Sequence, residues 1–79
     1  MKYKIGDIVA DLASGHRCII VGTKDDPFKP IIDPFMRKEI FPDKGFDYLA
    51  LIERKLEDGV NVEYKGILNL IEAQVQKLQ

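Results

Sequence analysis

His16 and Cys18 are the residues whose types and spacing could do chemistry, because they are the chain's only histidine and only cysteine and lie two positions apart. A cysteine becomes a nucleophile when a base lies within hydrogen-bond reach and the thiol pKa is lowered. On a strand, residues i and i+2 point to the same side, so such a pair is geometrically conceivable. No carboxylate or amide nearby is obviously placed to orient the imidazole, and cysteine is commonly buried as a small hydrophobe. A structural role is therefore preferred, and the chain is predicted not to be an enzyme.

Other chemical sites are disfavoured by counting. One histidine and one cysteine leave a metal's coordination sphere to carboxylates, without a recognisable ligand spacing. The six glycines are scattered and form neither a Gly-x-Gly-x-x-Gly nor a Walker pattern. Asp25 and Asp26 precede Pro27, and a solvated turn is the simpler interpretation of this acidic pair. We expect no metal and no cofactor.

Length and charge limit the kinds of function. The 79 residues make one domain, residues 1–79, which is too small for a deep substrate cavity. The net charge is −1, from 12 basic and 13 acidic residues. Nucleic-acid-binding proteins usually carry a basic excess, because phosphate neutralisation supplies most of their affinity. Nucleic-acid binding is thus possible but not favoured.

Cysteine usage and hydropathy indicate the compartment. Cys18 has no second cysteine with which to form an intrachain disulfide. The longest apolar runs, at 18–21 and 48–52, are far too short to span a membrane, and no signal peptide is recognised. We expect a cytoplasmic protein that does not enter a membrane.

Alternating apolar and polar residues predict two antiparallel hairpins. Residues 8–12 alternate with a period of two, and a turn separates them from the β-branched run within Arg17–Gly22. Phe46–Arg54 is apolar on both faces, which is typical of a central strand. An Asp-Gly pair then predicts a tight turn into a strand at 60–65. The predicted core consists of Ile8, Ala10, Ile19, Val21, Tyr48, Ala50, Ile52, Val62 and Leu70.

A long loop is predicted between the hairpins, at residues 24–45. All four prolines lie there, and proline cannot donate to a sheet ladder. The loop is also rich in large apolar side chains, which fits an ordered excursion better than disorder, with a short helical turn possible near Pro34–Glu39. Its five basic residues are interleaved with five acidic ones. The residues predicted to contact a partner are Phe28, Ile31, Phe35, Met36, Arg37 and Phe41.

The last residues, 66–79, allow two interpretations. Ile67, Ile71, Val75 and Leu78 have helical spacing. The alternative is a single helical turn around Leu70–Ala73, followed by a short closing strand at Gln74–Leu78. An amphipathic helix here could also serve a homodimer.

Several short motifs resemble known families. The opening Tyr3-Lys4-Ile5-Gly6-Asp7-Ile8-Val9 resembles the start of many small SH3-like domains. Gly6-Asp7-Ile8-Val9, the Pro-containing 24–45 loop and Asn69-Leu70-Ile71-Glu72-Ala73-Gln74-Val75 are similar to the hemimethylated-DNA-binding, heat-shock-protein-Q-like family. The resemblance implies a short turn and closing strand at the tail. It also implies binding to particular DNA and, in bacteria, an adaptor role toward a protease.

The fold prediction is therefore mainly β: a small SH3-like barrel of about five antiparallel strands, with a long loop over one end. The predicted function is a non-catalytic binding or adaptor module that uses the 24–45 loop and an adjacent barrel edge. A protein partner is preferred, because mixed charge around apolar anchors suits a protein interface. The alternative is a nucleic-acid-binding SH3-like module.

Overall fold

The computed structural model describes residues 1–30 and 38–78, and these form one antiparallel sheet. Its strands are β1 (Ile8–Asp11), β2 (Arg17–Thr23), β3 (Tyr48–Lys55), β4 (Val62–Leu70) and β5 (Val75–Lys77). The strand order is β4-β3-β2-β1-β5, so β4 and β5 lie at opposite edges. The prediction of a mainly β chain with five antiparallel strands is confirmed. Within the described residues the sheet is not closed, and the SH3-like barrel stays a prediction.

The core lies on one face of this sheet. It is formed by Tyr3, Val9, Cys18, Ile20, Tyr48, Ala50, Leu70 and Val75. Ile52 and Leu68 pack against it and are partly buried. The predicted core is thus right for Tyr48, Ala50 and Leu70, and Ile52 lies at its margin.

The predicted core is wrong for the first hairpin and for the end of the second. Val9, Cys18 and Ile20 are buried on the core face, one position out of phase with the prediction. The residues that are half-buried or exposed instead are Ile8, Ala10, Ile19, Val21 and Val62. Because side chains alternate between faces, a shift by one position exchanges the whole set.

Two buried aspartates explain this difference. Asp7 and Asp11 share a face with Val9, so an alternation count marks that face as polar. The Asp7 carboxylate accepts a hydrogen bond from the Lys4 backbone N–H at 3.0 Å. The Asp11 carboxylate accepts one from the Ser14 hydroxyl at 2.6 Å. Satisfied in this way, both carboxylates can be buried at modest cost, and they fix the turns on either side of β1.

β4 extends beyond the predicted end at residue 65, because the strand continues through a bulge at Gly66 to Leu70. Leu51 pairs with Ile67 and Ile52 pairs with Lys65, so Gly66 is the extra residue. Its φ is +69°, a conformation that glycine adopts easily. Gly66 therefore bends a continuous strand and does not precede a helix.

The tail follows the turn-and-strand alternative, and the helix interpretation is wrong. A single 3₁₀ turn at Glu72–Gln74 leads directly into β5, which pairs with β1. The Tyr48 hydroxyl donates a hydrogen bond to Glu72 at 2.9 Å, and the Tyr3 hydroxyl donates one to the Val75 carbonyl at 2.9 Å. The first bond is partly buried and the second is buried, and together they attach the tail and the N-terminal segment to the core.

Candidate functional site

Cys18 and His16 do not form a catalytic pair. The Cys18 thiol is buried, and its Sγ donates to the backbone carbonyl of His16 at 3.6 Å. The His16 residue is exposed to solvent. Burial, together with the nearby carboxylates of Asp11 and Glu53, raises the pKa of the thiol to about 11. A thiol with this pKa is protonated at neutral pH, whereas nucleophilic attack requires the thiolate.

No group of three or more potential metal ligands occurs among residues 1–30 and 38–78. The acidic pair Asp25 and Asp26 belongs to a turn after β2. The backbone N–H groups of both residues donate to the Thr23 hydroxyl, at 3.2 and 3.0 Å. This is the turn geometry that the sequence predicts for the pair.

The most distinctive surface is a row of aliphatic side chains on the face opposite the core. Ile8 pairs with Ile19, Ile19 with Leu51, and Leu51 with Ile67. Paired residues of antiparallel strands project to the same face, so these four side chains form a continuous row across four strands. We call Ile8, Ile19, Leu51 and Ile67 the outer row. Three of its members are half-buried, and Ile67 is 48% exposed.

The described ends of the 24–45 loop lie on the neighbouring row of the same face. Leu49 pairs with Gly22 and Asn69 there, and although it is not part of the core cluster it is only 1% exposed. A Cβ atom on Gly22 would lie 2.8 Å from the Phe28 backbone nitrogen. Phe28 therefore passes directly over Gly22, and we infer that this part of the loop shields Leu49 from water.

Backbone hydrogen bonds between Phe28 and Ile40 join the two described sides of the loop, and we call this bridge the neck of the loop. Phe28 and Ile40 form an isolated antiparallel bridge, with N–H···O distances of 2.9 and 2.8 Å. At the returning end, the Asn69 side chain accepts from the Asp43 N–H at 2.9 Å and donates to the Asp43 carboxylate at 3.0 Å. The described ends of the loop are therefore fixed on the outer face, beside the outer row.

Of the predicted partner contacts, Phe28 and Phe41 lie within the described residues. Phe28 is half-buried at the neck, where it packs over Gly22. Phe41 follows the bridge and is 52% exposed. The other four predicted residues, Ile31, Phe35, Met36 and Arg37, lie outside the described residues, as does most of the helical turn predicted near Pro34–Glu39.

Two ion pairs involve residues near the loop or the outer row. The Lys24 ammonium lies 3.0 Å from the Asp47 carboxylate, and Asp47 also accepts a hydrogen bond from the Glu72 N–H at 2.8 Å. The Glu72 N–H and then Lys24 hold the pKa of Asp47 below its usual value. Arg17 and Glu53 form a cross-strand ion pair at 2.9 Å, next to the outer row.

Sequence reasoning did not identify the outer row, although its signal is present. The run Ile19-Ile20-Val21 and the two apolar faces of Phe46–Arg54 both indicate strands covered on two sides. Joining these residues into a row requires the strand register. That register shifts at the Gly66 bulge and also between Ile20 and Gly22, where β2 pairs with β3.

Comparisons with known proteins give no relative. No family model, no curated protein and no solved structure matches the chain. Within the described part of the chain, no helix has the length and hydrophobicity needed to cross a membrane.

Proposed function

We propose that this chain is a non-catalytic binding module that takes a protein partner on the outer row and the adjoining neck of the 24–45 loop. The observation that carries the proposal is the aliphatic row that pairs in register across four strands, opposite the core. Phe41 follows the Phe28–Ile40 bridge and is 52% exposed, and we infer that it adds an aromatic anchor to this surface.

The surroundings of the row have the composition of an interface. Protein interfaces place apolar anchors at the centre and charged groups at the rim. Here the Arg17–Glu53 pair and the exposed parts of the loop border the aliphatic side chains. Burying the exposed part of Ile67 and Phe41 against a partner contributes roughly 25 cal/mol for each Å² of apolar surface.

The charge arrangement favours a protein over a nucleic acid. Lys24 is paired with Asp47, and Lys29 lies 3.9 Å from Glu39. Phosphate binding needs free cationic groups, so these two ion pairs and the overall charge of −1 favour a protein partner over a nucleic acid. A nucleic-acid-binding module remains the alternative against which the proposal is tested.

The finer fold assignment belongs to the same proposal. We propose an SH3-like barrel similar to the heat-shock-protein-Q-like family. Support comes from the strand order and from the turn and closing strand that the resemblance implies for the tail. A cytoplasmic location is also proposed, and it is supported by the single free cysteine, Cys18.

The test compares two matched variants on an affinity support. Ile8→Glu places a charge at one end of the outer row, and Val60→Glu places the same charge on a turn residue that is 83% exposed and outside the row. We expect a partner from lysate to be retained by the native chain and by Val60→Glu, and to be lost from Ile8→Glu. Its amide-shift footprint on the native chain should cover Ile19, Leu51 and Phe41.

Two results would overturn the proposal. The first is equal retention of the partner by Ile8→Glu and by the native chain. The second is an amide-shift footprint confined to the opposite edge of the sheet, at β5. Either result would show that the outer row is not the interface. Retention on DNA or RNA that falls steeply with added salt would replace the protein partner with a nucleic acid.

A further inference from the structure

The edge of the sheet formed by β4 offers a second interaction surface. Among the described residues, β4 pairs with β3 alone. An edge strand presents a row of backbone N–H and C=O groups that can pair with another strand. The side chains of Val62, Tyr64 and Ile67 on this strand are exposed, so its edge is apolar as well as unpaired in the described chain.

The sequence of β4 is complementary to itself when two copies run antiparallel. Glu63 and Lys65 flank Tyr64. If Tyr64 lies on a two-fold axis, Glu63 of each strand faces Lys65 of the other, so both cross-strand charge pairs are favourable. This is the only antiparallel register that places Glu63 opposite Lys65, because residue numbers in facing positions must then sum to twice that of Tyr64.

We propose that a second copy of this chain pairs its β4 antiparallel with β4, with Tyr64 on the two-fold axis. Such an interface uses the same patch on both copies, as a two-fold dimer requires. It joins the two sheets into one and brings the exposed Tyr64 side chains together as a cross-strand aromatic pair.

Two features of β4 commonly discourage strand addition, and both are compatible with this register. A lysine on an edge strand makes pairing with most strands unfavourable. Here Lys65 faces a glutamate only when the incoming strand is a copy in the stated register, so the charge selects its partner. The Gly66 bulge lies after the regular run Val62–Lys65, which pairs residue by residue with Ile52–Lys55. In the proposed register residues 63–65 pair symmetrically within this run, and Val62 of each copy faces Gly66 of the other.

The charges involved are close to the edge and already mutually attractive. Glu63 Oε1 lies 3.5 Å from Lys65 Nζ and 3.7 Å from Arg54 Nη1. The Lys65 side chain is largely exposed, so it can exchange its own-strand partner for the Glu63 of a second copy. The paired residues 63–65 are not members of the outer row, which meets β4 only at Ile67, so the inference stands whether or not the proposed function is correct.

Charge-swap variants test the register. Lys65→Glu and Glu63→Lys each turn two attractive cross-strand pairs into repulsive ones, and each should weaken the dimer about tenfold or more by sedimentation. The double variant Glu63→Lys with Lys65→Glu restores opposite charges in both pairs and should return the dissociation constant close to the native value. Lys77→Glu, the same change on the β5 edge, should leave it unchanged.

Disulfide trapping gives an independent measurement. Directly opposite residues have Cβ atoms about 4.5–5.5 Å apart, so Tyr64→Cys should form a covalent dimer rapidly on mild oxidation. Leu12→Cys, an exposed position in the β1–β2 turn, is the control and should cross-link slowly. The buried Cys18 does not compete.

A chain that sediments as a monomer at every concentration would overturn the inference. So would a dimer that the double charge swap fails to restore, or a Tyr64→Cys variant that cross-links no faster than Leu12→Cys. The Ile8→Glu variant separates the two proposals, because it should abolish partner capture and leave the dimer intact.

Discussion

Gly22 leaves room for Phe28 of the 24–45 loop to lie directly on the sheet. Replacing Gly22 with alanine should push Phe28 away and weaken the Phe28–Ile40 bridge. The added Cβ would lie 2.8 Å from the Phe28 nitrogen, 3.3 Å from the Phe28 Cβ and 3.4 Å from the Phe28 Cα. The nearest obstacle is backbone, so no side-chain rotation relieves the contact. The φ of Gly22 lies outside the left-handed region that favours glycine, so the close contact with Phe28 is the reason to expect a cost.

The size of the effect follows from the distance. Ordinary contact with a Cβ begins at 3.4 Å, so Phe28 must retreat by about half an ångström or more. Overpacking of this kind costs about 1–3 kcal/mol. Because Phe28 exchanges two backbone hydrogen bonds with Ile40, the retreat should loosen both ends of the neck together.

Hydrogen exchange and denaturant unfolding measure this prediction. In Gly22→Ala, the amides of Phe28 and Ile40 should exchange about tenfold faster or more, and the free energy of unfolding should fall by about 1–3 kcal/mol. Gly59→Ala is the matched control. Gly59 has φ of +72° and no contact within 4 Å, so its replacement strains a remote hairpin without touching Phe28. Unchanged exchange at Phe28 and Ile40 in Gly22→Ala would show that the loop does not rest on Gly22.

Two further predictions concern the titratable groups. The Glu72 N–H and Lys24 lower the folded-state pKa of Asp47 below the ordinary aspartate value of 3.8. The ionised carboxylate therefore stabilises the fold above pH 3.8. This contribution is lost as the pH falls from 3.8 through the lowered pKa. The difference in unfolding free energy between the native chain and Asp47→Asn should therefore shrink as the pH is lowered from about 6 to about 3; a pH-independent difference would contradict the assignment. Burial raises the pKa of Cys18 from 9.0 to about 11. At a pH of about 8, a soluble disulfide reagent should therefore react about a hundredfold more slowly with the folded chain than with the urea-unfolded chain. Equal rates would contradict the burial of this thiol.

The sequence predicts the strands well because each is a local pattern. The β-branched run at 19–21, the apolar stretch at 46–54 and the Asp-Gly turn each specify their own conformation without help from distant residues. Which face of β1 is buried is not determined by a local pattern of this kind. Whether the side of Val9 or the side of Ile8 is buried depends on whether Asp7 and Asp11 find hydrogen-bond donors, and the donors belong to the turns on either side.

The helical spacing in the tail is a second case in which a local pattern does not determine the structure. Ile67, Ile71, Val75 and Leu78 recur as on a helix face, yet Ile67 lies on β4, Val75 is buried in β5, and the other two are exposed. The Gly66 bulge and the 3₁₀ turn at Glu72–Gln74 interrupt the strand alternation and leave a spacing that imitates a helix. Only the pairing of β5 with β1 separates the two interpretations.

The proposed binding surface follows from how this small chain covers a sheet that is apolar on both faces. The N-terminal segment packs on the core face, where Tyr3 lies against Tyr48. On the other face the described ends of the loop meet the sheet at Gly22 and Asn69, the neighbours of Leu49. The adjoining row, from Ile8 to Ile67, is left half-buried to exposed. A lone exposed aliphatic residue needs no explanation, but four that pair in register and are half-buried to exposed form an apolar patch, which supports the proposed interface.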